Sequence, residues 1–348
     1  MSKKTVFLVL VVVVLAAAAA AAAALLWQVE QPSVIDPVIP AQTTSAQPAG
    51  ATYVGGASCG ACHVEQYEQW QGSHHDLAMQ EANAGSVLGN FNNAEFQYYD
   101  VTSRFYRDGE RFMVRTEGPD GSLQDYPVKY TFGVTPLQQY LIEFPGGRLQ
   151  ALGIAWDSRP AGEGGQRWFH LYPDEKIDHN DELHWTGYNQ NWNYMCADCH
   201  STNLKKNYDA GTQHFDSRWS EINVSCEACH GPGSEHNKWA AKDAAAQAQD
   251  KTRGLVISLD ERRGVSWQMD PLTGTAQRST PRDSTTEIQV CARCHARRAA
   301  IASDHVPGHA FMDAYRPALL SEQLYYPDGQ IQDEVYVYGS FIQSKMYH

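Results

Sequence analysis

The sequence predicts a mainly α-helical fold of short helices and loops, into which a small antiparallel β module is inserted. A motif of two cysteines and one histidine occurs four times at uneven spacing, and the gap from Cys59 to Cys196 is the longest. Within that gap, residues 96–156 alternate aromatic or β-branched residues with polar ones. Phe105-Tyr106 and Phe112-Met113-Val114 flank the turn sequence Asp108-Gly109, which predicts a β hairpin.

All eight cysteines belong to copies of the motif Cys-x-x-Cys-His, which is the attachment signature of c-type haem. The thiol pairs are Cys59 with Cys62, Cys196 with Cys199, Cys226 with Cys229, and Cys291 with Cys294, and the following histidines are His63, His200, His230 and His295. Two thiols at this spacing reach the two vinyl groups of one porphyrin, and the histidine then supplies the proximal iron ligand. The motifs therefore predict four covalently bound haem c groups. Because porphyrins supply much of the core, we expect a mainly α multihaem cytochrome.

Three other uses of paired cysteines fit less well. Disulfides are common in exported proteins, but they do not require a histidine after each pair. Zinc ribbons also use Cys-x-x-Cys pairs without that histidine. A thioredoxin-like redox pair is expected once, near a βαβ pattern, and this motif occurs four times.

Ten histidines lie outside the motifs, and this surplus favours His/His coordination of the irons. His75 lies 12 residues past His63, about 18 Å along an ideal helix, so we expect it to reach a different haem. His236 follows Gly231-Pro232-Gly233, a turn that can direct it to a neighbouring haem. Further candidates for distal ligands are His214, His309 and His184.

Residues 5–27 form an uncharged run of 23 residues, about 34 Å long as a helix, which is enough to span a bilayer. The run fits an uncleaved anchor in the inner membrane, and it also fits a cleaved signal that leaves a secreted protein. Lys3 and Lys4 precede it, and the next basic residue is Arg104, so we expect the N-terminus to stay cytoplasmic. Both interpretations place the remaining chain in the periplasm, or on the extracytoplasmic face.

The net charge of −13 argues against nucleic-acid binding, which needs a basic surface. The same charge fits redox partner proteins that carry a basic docking face.

The chain divides into five segments on these features. They are an N-terminal membrane anchor or signal at 1–27, a flexible linker at 28–52, a first haem segment at 53–95, the β module at 96–170, and a domain for the second to fourth haems at 171–348. The linker is rich in Pro, Ala, Gln and Thr, a composition typical of flexible tethers.

The chain resembles the tetrahaem cytochrome c-552/c-554 family over about residues 56–300. The resemblance rests on the four motifs, on Trp70-x-x-Ser73-x-His75 and on the stretch from Cys229 to His236. The stretch from Asn191 to His200 is more similar still to large multihaem cytochromes of environmental bacteria that carry tetratricopeptide repeats, which are not found here. The resemblance implies stacked haem pairs that conduct electrons. It also implies that His75 ligates the haem of His230, that His236 ligates the haem of His295, and that His214 ligates the haem of His63.

We expect an electron carrier without catalytic residues. The alternative is a multihaem oxidoreductase acting on a small nitrogen or sulfur compound at a five-coordinate haem, for which the haem of His200 is the candidate. The haem of His200 enters here only through the resemblance, because the second haem is five-coordinate in some members of that family. Such an enzyme needs an open iron surrounded by side chains that stabilise developing charge. The sequence shows no constellation that identifies such a pocket.

Overall fold

The computed structural model of the protein describes residues 50–303, 305–318, 321–333, 336–344 and 346–347. The predicted anchor or signal at 1–27 lies outside the described residues, as does all but the last part of the predicted linker. Among the described residues, no helix is both long enough and apolar enough to cross a membrane. The described residues all belong to one compact unit.

Nine strands between Met79 and His170 form one antiparallel sheet. They are β1 (Met79–Glu81), β2 (Ala94–Tyr98), β3 (Val101–Asp108), β4 (Arg111–Glu117), β5 (Leu123–Phe132), β6 (Leu137–Phe144), β7 (Arg148–Ala151), β8 (Ile154–Asp157) and β9 (Arg167–His170). The main path runs β2-β3-β4-β5-β6-β8-β9, while β1 pairs with β5 and β7 pairs with β6. Asp108 pairs with Arg111 across the turn at Gly109, which confirms the predicted hairpin.

The sheet curls until its two end strands meet and nearly close a barrel. The Tyr98 ring of β2 stacks on the His170 ring of β9, with 3.6 Å between the ring centroids. The Tyr98 hydroxyl also donates a hydrogen bond to the Tyr172 carbonyl at 3.0 Å. Because the sheet curls, its apolar face turns inward and is buried between its own strands.

Aromatic side chains fill the interior of this sheet. Phe105 is fully buried, and its ring stacks on Trp168 with 3.6 Å between the centroids. Phe91 packs edge-on against both rings and against the buried ring of Tyr140. Such aromatic pairs add about 0.5–1.5 kcal/mol each beyond their buried area. The alternation in residues 96–156 therefore builds a core of its own.

In the part of the chain that the structure describes, the helices outside the sheet are short, with at most 10 residues. They are α1 (Gly56–Gly60), α2 (Val64–Trp70), α3 (Trp192–Met195), α4 (Ala197–His200), α5 (Cys226–His230), α6 (Ser234–Ala240), α7 (Ala244–Gln249), α8 (Thr286–His295), α9 (Phe311–Ala314) and α10 (Tyr338–Phe341). Within the described residues, three small antiparallel pairs accompany them, formed by β10 (Tyr208–Asp209) with β11 (His214–Phe215), β12 (Trp267–Met269) with β13 (Ala276–Arg278), and β14 (Arg298–Ala300) with β15 (Tyr315–Pro317).

The prediction of a mainly α fold with a small β module is wrong. Helices account for 23% and strands for 26% of the structure, and the nearly closed sheet is its largest element. The reason is twofold. Each Cys-x-x-Cys-His segment forms only one or two helical turns, and the sheet recruits β1, which lies before residue 96, and closes on itself.

The sheet also positions the second motif. Trp192 of α3 is fully buried with Leu141, Leu149 and Ala197 in a second apolar cluster. The side-chain oxygen of Asn193 accepts a hydrogen bond from the backbone N–H of Leu149 at 2.7 Å. The stretch before Cys196 is thus anchored on β7, which fixes where α4 begins.

Candidate haem-binding sites

Each motif is placed on or beside a short helix. The first begins at the end of α1 and ends at the residue before α2, the second occupies α4 and the residue before it, the third forms α5, and the fourth ends α8. Residues three apart on a helix share one face, so the two thiols of the third motif lie on one face of α5 and those of the fourth on one face of α8. All eight cysteines are free thiols in this structure. Each motif therefore offers two thiols and one imidazole, the donor set that a c-type haem requires.

The first and third motifs are in contact. The thiols of Cys59 and Cys226 share a hydrogen bond. The space beside the Gly56 Cα is lined by Ser225 Oγ, Glu221 Oε1 and Cys226 Sγ. A side chain at position 56 would therefore push the two motifs apart, and glycine allows the close approach.

The second and fourth motifs are in contact as well. The thiols of Cys199 and Cys294 share a hydrogen bond, and Cys199 Sγ also lies 3.8 Å from the Arg293 carbonyl oxygen. Between these two contacts, Cys229 of the third motif lies close enough to Cys291 of the fourth for their charges to interact. The motifs thus neighbour one another in the order first, third, fourth, second.

His236 lies beside His63, the proximal histidine of the first motif, with 6.1 Å between ring centroids. Two imidazoles that ligate one iron at about 2 Å have ring centroids roughly 6 Å apart. His236 Nδ1 donates a hydrogen bond to the Arg253 carbonyl at 2.8 Å. This bond fixes the ring and leaves Nε2 available for a metal, as is usual for ligating histidines.

His75 lies beside His295, the proximal histidine of the fourth motif, with 6.2 Å between ring centroids. Burial lowers the pKa of His75, and the neighbouring His295 and His74 lower it further. A neutral imidazole is the form that binds iron. These neighbours differ from the pairings that the family resemblance implied, which were His75 with His230 and His236 with His295.

The other two proximal histidines have different surroundings. His200 Nδ1 donates to the Ala78 carbonyl at 3.1 Å, and its ring packs edge-on against Phe132. In the described part of the chain, no histidine ring contacts that of His200. Burial lowers the pKa of His230, and the neighbouring His63 and His236 lower it further.

The remaining candidates for distal ligands lie in different places. His214 is exposed in β11. His184 is buried, and its Nδ1 shares a hydrogen bond with the Thr186 hydroxyl at 2.8 Å. His309 follows the fourth motif, and its charge interacts with that of His305. None of the three contacts the ring of a motif histidine among the described residues.

His305 was missed by the sequence reasoning. Its Nδ1 is buried without a hydrogen-bond partner, and its ring contacts that of Tyr315 at 5.2 Å between centroids. Burial lowers its pKa to about 4, and the charge of Arg293 contributes. Its position ten residues after His295 was the available signal. The Nε atom of Arg293 is also buried without a partner. Buried unpaired polar atoms are rare unless another group completes them, so these atoms fit a region that holds bound haem.

A family described as "Cytochrome c554 and c-prime" matches residues 58–96 and 166–231. The matched segments contain the first three motifs and His75, and they leave out most of the sheet and the fourth motif. No curated protein and no solved structure matches the chain. The family match supports a c-type cytochrome with covalently bound haem that takes part in electron transfer outside the cytoplasm.

Proposed function

We propose that the protein is a periplasmic tetrahaem cytochrome c that moves electrons along four covalently bound haems. Each bound haem supplies one iron that takes up and releases a single electron. The observation that carries the proposal is the series of neighbouring motifs, in which the thiols of Cys59 and Cys226 and those of Cys199 and Cys294 share hydrogen bonds and Cys229 lies near Cys291. These residues bring the attachment positions together in the order first, third, fourth, second.

The histidine pairs support two axial assignments. His63 and His236 would ligate the first haem, and His295 and His75 would ligate the fourth, because both pairs have the ring spacing that a shared iron requires. The assignments join the segment that follows α2 to α8, and the first motif to α6. Bonds of this kind close long loops and therefore stabilise the fold, as metal clips do.

Membrane attachment and redox partners belong to the proposal too. Residues 5–27 would anchor the chain in the inner membrane, on the sequence argument of an uncharged run that follows two lysines. The net charge of −13 favours redox partners with a basic docking face.

The haem count tests the proposal directly. A pyridine haemochrome assay on protein matured in a host with haem-attachment machinery should give four haems per chain. The Cys226→Ser, Cys229→Ser double variant should give three. The matched control is Ser225→Ala, which leaves both thiols of the same helix intact and should keep four haems. Two or fewer haems in the wild type would contradict the proposal.

Variants of the distal histidines test the axial assignments. His75→Ala and His236→Ala should each turn one haem high-spin or raise its potential, because a strong ligand is lost. His74→Ala is the neighbouring control and should leave the spectrum unchanged. Unchanged low-spin spectra in both variants would contradict the assignments.

Carbon monoxide distinguishes the carrier from an oxidoreductase with an open iron. The ring contact of His200 with Phe132 favours the second haem as the place for such an iron. Carbon monoxide binding to one haem of the reduced wild type would support the alternative. Four haems that exclude carbon monoxide would support the carrier.

A further inference from the structure

A buried glutamate lies between the cysteines of the third motif. Glu227 has 1% exposure, and its carboxylate accepts hydrogen bonds from three backbone N–H groups. The donors are Val54 at 2.9 Å, Gly55 at 2.8 Å and Gly233 at 2.7 Å. Val54 and Gly55 precede the first motif, so Glu227 ties the first and third motifs together.

A second carboxylate lies at the same contact. Glu221 Oε1 accepts a hydrogen bond from the Gly56 N–H at 2.9 Å. Its Oε2 is buried without a hydrogen-bond partner. Both acidic residues are close enough to Cys59 for their charges to act on it. Among the described residues, neither carboxylate forms an ion pair with a lysine or arginine, so this contact carries negative charge.

The contact between the second and fourth motifs carries the opposite charge. Arg293 lies between the cysteines of the fourth motif with 8% exposure, and it forms an ion pair at 3.2 Å with Asp198, which lies between those of the second. Arg298 forms an ion pair with the same carboxylate at 2.6 Å and places its guanidinium 3.5 Å from Cys199 Sγ. Burial by itself raises the pKa of Asp198, but Arg293 and Arg298 lower it below its usual value. Two guanidinium groups thus share one carboxylate, which leaves a surplus of positive charge.

We propose that these buried charges set a direction for electron transfer, from the haems of the first and third motifs toward those of the fourth and second. The inference rests on the proposed tetrahaem function. Glu221 and Glu227 disfavour reduction of the haems held by Cys59 and Cys226, because a negative charge repels an added electron. Arg293 and Arg298 favour reduction of the haems held by Cys199 and Cys294. In the order of neighbouring motifs, the acidic contact between the first and third motifs lies at one end. The basic contact between the fourth and second motifs lies at the other.

The expected size of each effect follows from Coulomb's law. A unit charge about 10 Å from an iron, at an effective dielectric constant of about 20, changes the reduction equilibrium by roughly tenfold or more. A tenfold change for one electron corresponds to about 59 mV. Effects of this size are well resolved in a spectroelectrochemical titration.

Neutral variants of the two contacts test the inference. Glu221→Gln removes the acidic charge that lies outside the third motif, and Glu227→Gln removes the acidic charge that lies inside it. Arg298→Gln removes a basic charge outside the fourth motif, and Arg298→Lys retains it. Asp108→Asn and Arg111→Gln are controls, since they remove charges from an exposed pair on the sheet. The readouts are the midpoint potentials and the haem count of each purified protein.

We expect the glutamate variants to raise the lowest midpoint potentials by an amount that corresponds to at least a tenfold change in the reduction equilibrium. Arg298→Gln should lower the highest midpoint potentials by a similar amount. Arg298→Lys and the two sheet controls should titrate like the wild type. The inference would be overturned if the variants carry four haems and their midpoint potentials equal those of the wild type. It would also be overturned if the glutamate variants and Arg298→Gln change the potentials of the same haems. If Glu227→Gln fails to attach four haems, Glu221→Gln decides the acidic side. A wild-type haem count of two or fewer would instead refute the tetrahaem function.

Discussion

The β sheet and the region that carries the four motifs hold together in different ways. The sheet buries large side chains of its own, among them Phe105, Tyr140 and Trp168. The apolar clusters at the third and fourth motifs are small: one consists of Ala78, Val224 and Ala228, and the other combines three alanines with Phe311 and Tyr315. The contacts that join the motifs are polar, as at Glu227 and Asp198. The sheet can therefore fold from its own sequence, whereas the motif region lacks the apolar volume that bound haem would supply.

The largest expected effect comes from withholding haem. Chain produced without haem-attachment machinery should keep the sheet and lose stable structure in the helices of the motifs. Hydrogen exchange measured by mass spectrometry should show strong protection in residues 101–144 and weak protection in residues 226–240 and 286–295. The haem-loaded protein is the control, and it should protect all three ranges. Equal protection of the sheet and the helices in the haem-free chain would contradict the comparison.

Parts of this architecture could be predicted from the sequence because their signals are local. The hairpin around Asp108-Gly109 and the thiol pairs of the motifs depend on residues close together in the chain. The closure of the sheet could not be predicted in this way, because it joins Tyr98 to His170 across the whole sheet. The partners of His75 and His236 also depend on packing between distant segments. His305 was not predicted because its burial depends on packing against Tyr315, which its position ten residues after His295 does not reveal.

A smaller effect is expected from a substitution that creates a cavity inside the sheet. Phe105→Ala should lower the free energy of unfolding of the sheet by about 3–5 kcal/mol, because Phe105 is fully buried and stacks on Trp168. Denaturant unfolding followed by far-ultraviolet circular dichroism measures the loss. Leu123→Ala, at a side chain with 45% exposure, is the control and should change the stability by about 0.5 kcal/mol or less. Haem spectra should not change in native buffer, and a loss of haem signals there would show that the two regions are not separable in this way.

The smallest expected effect concerns the pH dependence of the sheet. His184 is buried beside Glu117 at the end of β4, and burial lowers its pKa to about 4, with a further contribution from His179. In the unfolded chain its pKa is about 6.5. The folded protein therefore favours the neutral ring, and the stability that this provides is complete above pH of about 6.5 and decreases as the pH falls toward 4. The wild type should lose unfolding free energy between pH 7 and pH 5, and this loss should be about 1–2 kcal/mol smaller in His184→Gln. His214→Gln changes an exposed histidine and should keep the wild-type slope. Denaturant titrations of the sheet at both pH values give the comparison, and an undiminished slope in His184→Gln would mean that another group titrates with unfolding.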